Sequence, residues 1–238
     1  MKPGTADRVR TIAFFLFVVL LATVPAYCQR GTLDLNVGET SDRFGSLPSA
    51  SSAVIDINGE VTVIPASAKT GRPSIVAGGE FRAPSDTSNH TKEYAVYGGV
   101  AWGFRNLSIG VNGEVRKILI PPATLDNQIL NRYNMNLFEL PIVIKYRFGN
   151  GKRAFVEVQG WPEFTPHFKT SAPVQTPHPN FDHGYTLRGS VGCNFGKWWY
   201  VQGTYESRYF AFLNNGGNPN LLYNWKSNMI TGGAGVRF

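Results

Sequence analysis

Apolar and polar residues alternate with a period of two along most of the chain, the signature of strands with one apolar and one polar face. The last stretch, Lys226 to Phe238, is the plainest case. Ile230, Gly232, Ala234, Val236 and Phe238 alternate with Thr231, Gly233, Gly235 and Arg237, and the sequence stops on the aromatic Phe238. An exposed strand of this kind is a sticky edge in a soluble protein. In a closed membrane barrel it pairs with the first strand and leaves no edge. The same alternation predicts earlier strands over Thr32–Gly38, Ile55–Val63, Ile75–Arg82, Tyr94–Trp102, Leu107–Arg116, Phe138–Phe148, Ala154–Trp161, Tyr185–Phe195 and Trp199–Arg208. Pro141 interrupts the sixth and predicts a bulge or a weakened ladder there.

The connections carry a second pattern. Arg105-Asn106, Gly149 to Lys152 and Gly196-Lys197 are tight turns after strands four, six and eight. Longer polar loops follow strands three, five, seven and nine, and a Ser/Gly-rich loop is expected over Glu39 to Ser52. Short turns on one side and long loops on the other is the asymmetry of outer-membrane barrels. Strands near ten residues, tilted, suit a bilayer. The expectation is an all-β fold: a transmembrane up-and-down antiparallel β-barrel of ten strands, or eight if the first two are discounted.

The start of the chain differs. Lys2, Arg8 and Arg10 precede the apolar run Thr11 to Val24, and small residues follow at Ala26 and Cys28. This reads as a secretory signal peptide over residues 1–28, cleaved after Ala26 or Cys28, leaving a barrel domain over 29–238. At about 14 residues the run is short for a membrane span. If cleavage follows Cys28, Cys193 is the one cysteine left, so no internal disulfide is expected.

Composition agrees with export. Charged residues are 16% of the chain and aromatics 13%, with 26 glycines, a profile unlike that of a helix-rich cytosolic enzyme. The formal net charge of +7 comes from scattered residues with no Lys/Arg run, so no nucleic-acid partner is expected.

The segment NLFELPIVIKYRFGNGKRAFVEVQGWPEF, beginning at Asn136, resembles the central hairpin of the small outer-membrane β-barrel (porin-family-like) domain of Gram-negative bacteria. GYTLRGSVGCNFGKWWYVQGTYESRYF, beginning at Gly184, resembles its last strands; the likeness runs over roughly residues 90–238 and rests on alternation and glycine placement. It implies an outer-membrane location and contact with outer-membrane lipids and lipopolysaccharide. It also implies that Phe238 serves as the assembly signal read by the barrel-assembly machinery. A monomer is expected.

The polar faces hold the candidate chemistry. Glu114, Arg116, Glu139, Lys145, Arg147, Glu157, Arg188, Glu206, Arg208 and Arg237 all take the inward parity. In a narrow barrel such charges either pair into a network that plugs the lumen or line a narrow pore, with Arg208 and Arg237 as candidates for a constriction. Trp102, Trp161, Trp199 and Tyr200 lie near strand ends and are expected to form an interfacial aromatic girdle. Cys193 takes the apolar parity, an inert lipid-facing position.

No catalytic residue, cofactor or metal is expected. The four histidines, His90, His167, His178 and His183, all fall in expected loops, and none shares a strand face with a serine and an acid. The segment Arg208 to Asn220 faintly resembles the His-x-Ser-Asn stretch of barrel-type lipid A deacylases, with its His and Ser positions unfilled. A metal site at His178, His183 and Asp182 is the weaker reading of residues that loops usually leave solvated. The leading expectation is a non-enzymatic integral barrel with a structural, surface-interaction or narrow-pore role. The alternatives are a membrane-embedded lipid A-modifying hydrolase and an adhesin-like protein that binds through its extracellular loops.

Overall fold

The computed structural model describes residues 30–238 apart from 46–47, 68–70, 87–89, 121–123, 126–127, 130–132, 149–152, 171–179 and 214–223. The signal-peptide reading over 1–28, with Cys28, lies outside the described residues, as does His178.

Ten antiparallel strands close into an up-and-down barrel. They are β1 (Arg30–Phe44), β2 (Ala50–Ile64), β3 (Ser74–Pro84), β4 (Lys92–Phe104) and β5 (Leu107–Ile120), then β6 in two pieces (Tyr133–Glu139 and Ile142–Phe148). β7 is also in two pieces (Ala154–Pro162 and His167–Thr170), followed by β8 (Asn180–Phe195), β9 (Trp199–Leu213) and β10 (Trp225–Arg237). Each strand pairs with its neighbour in the chain, and β10 returns to β1 with Leu35 opposite Ala234 and Val37 opposite Gly232. The seam extends to the last residue, where Phe238 N–H donates to the Gly31 carbonyl at 3.1 Å and Gly31 N–H donates to the Phe238 carbonyl at 2.7 Å. The expected closure of the last strand on the first is therefore observed, and no strand edge is left at that seam.

The first loop is much shorter than its sequence suggested. β1 runs on to Phe44 and β2 begins at Ala50, so most of Glu39 to Ser52 is strand. Hydropathy misses this extension because both faces turn polar there: Glu39 and Arg43 are exposed while Thr40 and Asp42 point inward and are buried. At the start of β8 the contrast is reversed: Phe181 packs against the lumen cluster while Asp182 and His183 are exposed.

Pro141 breaks β6, as expected from its missing N–H. The ladder with β5 holds its register across the gap, with Glu139 opposite Glu114 and Ile142 opposite Val111, and Asn112 N–H still reaches the Pro141 carbonyl at 3.0 Å. Across β6 and β7 the register slips by one, from Ile142 opposite Gly160 to Asn136 opposite His167, so the break in β7 at Glu163–Pro166 takes up an extra residue. The turns between β4 and β5 and between β8 and β9 are tight, with Arg105 at φ 54° and Gly196 at φ 69°, the left-handed backbone that close hairpins need.

The outer face is apolar. Val96, Val191 and Ile230 expose 61%, 59% and 63% of their surface, and similar residues recur on every strand. A band of this extent is stable only against an apolar medium. The barrel has two unlike ends. The terminus end holds Arg30, Arg237 and the tight turns; the loop end holds the longer connections and the strand extensions beyond the apolar band.

Candidate functional site

Strand alternation sends one residue in two into the lumen, and at mid-height these residues are ionic. Arg82 on β3 meets Glu206 on β9 with both terminal nitrogens: Nη1 donates to Oε1 at 2.8 Å and Nη2 to Oε2 at 3.0 Å. The same guanidinium reaches Glu80 at 2.8 Å and Glu93 at 3.2 Å, with Asp56 at 3.9 Å. Arg116 on β5 holds Glu139 at 3.0 Å, Glu93 at 2.8 Å and Glu80 at 2.9 Å, and also bonds Glu114. Arg208 on β9 donates to Glu93 at 2.9 Å and to Thr186 at 3.0 Å. Thr186 in turn bonds Glu163, which stands in the break of β7.

The fourth arginine crosses the lumen. Arg188 on β8 donates to Glu80 on β3 at 2.7 Å and to Glu206 at 2.7 Å. β3 and β8 are five places apart in the ring of ten strands, on opposite walls. Charge-assisted bonds of this length are strong, and forked arginines fix geometry as well as charge. Desolvation in such a place is tolerable because each ion has several partners.

Above this layer, toward the loop end, the lumen becomes apolar. Ile118, Met135, Leu137, Phe210, Phe212 and Trp225 form a buried cluster, with Phe181 packed against it. Phe210 and Trp225 stack at 5.2 Å between centroids. The Trp225 indole N–H donates to Asp42 Oδ1 at 3.2 Å, and the other Asp42 oxygen lies 3.1 Å from His90 Nδ1. Below the ionic layer, toward the terminus end, Lys145 pairs with Glu157 at 2.5 Å and Gln159 donates to Glu157 at 2.8 Å. Tyr200 bonds Asp34 there. Gly235 makes that bond possible, since a Cβ at this position would overlap both the Tyr200 ring and the Asp34 carboxylate.

The ten charges expected in the lumen therefore divide. Glu114, Arg116, Glu139, Arg188, Glu206 and Arg208 join the central network, and Lys145 and Glu157 form a separate pair below it. Arg147 is exposed at the terminus end with no ion pair among the described residues, and Arg237 lies over the Tyr200 ring at 4.6 Å. Arg208 and Arg237 do not share a height, so they form no common constriction. The alternation had missed Asp56, Glu80, Arg82, Glu93 and Glu163. Asp56, Glu80 and Arg82 stand on the polar parity of β2 and β3, and that parity was the signal available to find them.

Of the expected girdle, Trp102 and Trp199 are exposed on the outer face, at 40% and 60%. Trp161 and Tyr200 are corrections: both are 4% exposed and point into the lumen. Trp161 shares the parity of Glu157, and a strand cannot send both of them inward and outward at once. Phe238 is partly exposed, its ring against Gly31. Cys193 is exposed on the outer face, and His183 pairs with Asp182 at 2.9 Å in the open. Among the described residues no group of three or more His, Cys, Asp or Glu is placed to hold a metal ion.

The closed ring of strands, the apolar exterior and the polar interior are those of a membrane-spanning barrel. The protein is a ten-strand membrane β-barrel. No protein-family model matches the sequence, and no curated protein sequence matches it. Solved structures with similar shape include Neisserial surface protein A, at 10% identity over 87% of this chain and 97% of that one, TM-score 0.42. The outer-membrane protease OmpT from Escherichia coli matches at 10% identity over 88% and 96% of the two chains, TM-score 0.46. Ail, the attachment invasion locus protein of Yersinia pestis, matches at 8% identity over 88% and 98%, TM-score 0.26.

Proposed function

We propose that the barrel is a closed, non-enzymatic scaffold that holds a polar rim above the outer leaflet, and that its role is surface interaction and not conduction. The contact between Arg188 and Glu80 carries this reading, because side chains from opposite walls meet at 2.7 Å. The aromatic cluster around Phe210 and Trp225 supports it from the loop end. The rim is supported by the strand extensions: Arg43 on β1, Ser51 on β2 and Lys226 on β10 are exposed beyond the apolar band. Their backbone is still paired there, as Arg43 opposite Lys226 attests. His90, a candidate base in a hydrolase, is buried and bonded to Asp42, which favours a packing role for it.

The deciding experiment is planar-bilayer conductance of the refolded protein, with heat-modifiable migration on a gel as the check of folding. A silent bilayer is the expected result. Steady ohmic steps from folded protein would overturn the closed lumen and return the narrow-pore role to first place.

A further inference from the structure

Three prolines interrupt one seam of the wall. Pro141 lies in the break of β6, and Pro162 and Pro166 stand on either side of Glu163 in β7. Toward the terminus end the two strands pair as far as Ile142 with Gly160; toward the loop end pairing resumes at Asn136 with His167. Among the described residues no ladder pair and no backbone hydrogen bond joins residues 137–141 to residues 161–166. The cause is local. After Ile142 and Gly160 the next facing pair is Leu140 with Pro162, and Pro162 has no N–H to give. Each segment keeps its other neighbour: Asn112 N–H reaches the Pro141 carbonyl at 3.0 Å, and Glu163 N–H reaches the Gly184 carbonyl at 2.9 Å. Parting two paired strands in lipid breaks backbone bonds that nothing replaces. This seam has none to break over those residues, so it is where the wall parts most easily.

The two faces of the seam differ. Outside, Phe138, Leu140 and Phe164 are exposed by 55%, 38% and 44%, an apolar surface for a hydrocarbon tail. Inside, Glu139 and Glu163 are buried. One oxygen of each is answered, by Arg116 for Glu139 and by Thr186 for Glu163. Their carboxyl groups lie within hydrogen-bonding reach of one another, yet Glu139 Oε1 and Glu163 Oε2 have no donor among the described residues. The indole N–H of Trp161, buried on the same inward face, also lacks a partner. Unanswered polar groups are costly in a buried place, and three in one strand break mark a place shaped around something other than protein. The central network leans the same way: Asp56 and six glutamates share four arginines, so the layer is short of positive charge.

We infer that this seam is a lateral binding site for an amphipathic primary amine. Its tail lies on Phe138, Leu140 and Phe164, and its ammonium enters between β6 and β7 to bond Glu139 and Glu163. An ammonium is favoured over a hydroxyl because it donates to both carboxylates at once and supplies the missing positive charge. A proton held between the two carboxyl groups is the competing answer. The site opens sideways, so it is independent of conduction along the barrel axis.

The test uses the full folded barrel in dodecylmaltoside micelles at neutral pH, with heat-modifiable migration as the check of folding. Dodecylamine is titrated in, and native mass spectrometry reads the amine retained. The parent is expected to bind it saturably. Dodecyltrimethylammonium, which has the charge but no N–H, is expected to bind about tenfold more weakly, the worth of one charge-assisted hydrogen bond. The double variant Glu139→Gln, Glu163→Gln is expected to weaken dodecylamine binding by about tenfold or more. Pro162→Ala, which restores the missing N–H, is expected to close the seam and weaken binding as well. A photoreactive dodecylamine is expected to crosslink the parent at Phe138, Leu140 or Phe164, a readout that needs no variant to fold. No saturable binding by the parent, the result of a shared proton alone, would overturn the inference. Equal binding of the two amines, unchanged binding in either folded variant, or crosslinks spread around the barrel would overturn it too.

Discussion

Arg188 on β8 and Glu80 on β3 meet at 2.7 Å across the lumen, although their strands stand on opposite walls. Both ions are committed further, Arg188 to Glu206 and Glu80 to Arg82 and Arg116. Breaking one buried partner strands the others without neutralising charge. Arg188→Met is therefore expected to cost about 3–5 kcal/mol, read as a lower urea midpoint. Combined with Glu80→Gln it should cost less than the sum of the two, by about 0.5–3 kcal/mol. Strict additivity would mean that the two groups do not interact.

Arg147 and Arg116 take the same inward parity, yet among the described residues only Arg116 of the two has ion-pair partners. Arg147→Gln should leave stability within about 0.5 kcal/mol of the parent. Arg116→Gln should lower it by about 3–5 kcal/mol, because four glutamates lose their shared cation. Similar losses in thermal gel-shift midpoints for the two variants would contradict this division of the charges.

On the proposed closed-lumen reading two layers block the lumen, and each should suffice alone. Trp225→Ala removes a stacked ring from the apolar cluster and is expected to cost about 3–5 kcal/mol. It should nonetheless leave a planar bilayer silent, since the arginines below remain in place. Currents from this single variant would show that the aromatic cluster is the sole barrier.

Gly38 sits on the closing seam opposite Thr231, and a Cβ there would run into the Ile230 carbonyl and the Thr231 backbone. The obstruction is main chain on the partner strand, so no side-chain rotation relieves it. Gly38→Ala should cost about 1–3 kcal/mol and slow the appearance of the folded gel band. A parent-like folding rate and midpoint would show that the seam has slack at this height.

Cys193 faces outward between Ala154 and Val201 on the neighbouring strands. In membranes it should resist a charged, water-soluble maleimide and react with a lipid-soluble one. In denaturant both should label it. Rapid labelling by the charged reagent in intact membranes would place β8 the wrong way round.

The ten strands were legible because lipid demands apolar residues on one face and the lumen polar ones on the other, the strongest period-two signal a chain can carry. Legibility failed where that contrast fades. Ser41 and Arg43 alternate with Thr40 and Asp42, polar against polar, so the end of β1 read as loop. Met135 and Phe212 lie inside the loop-end lumen, where apolar residues replace ions, and parity there points the opposite way from the rest of the barrel. Trp161 and Tyr200 were assigned outward from position near a strand end, against their parity, and the parity was right. The ion network is legible in part: Glu206 and Arg208 stand on the polar parity of a later strand, and Glu80 and Arg82 carry the same alternation earlier in the chain.

The longest link in the network joins Arg82 to Glu206, 124 residues apart in the chain. Neither ion can find the other until β3 and β9 face each other across a common interior, and that requires every strand between them to be in place. In a half-built sheet Arg82 would have Glu80 and Glu93 beside it and Glu206 would have Arg188, but the two clusters would not meet. Closure of the ring is what joins the cluster on β3 to β5 with the one on β8 and β9. The cross-lumen pairs therefore form only in the register that closes the ring, and a slipped register would turn Arg82 and Arg188 away from the partners they share.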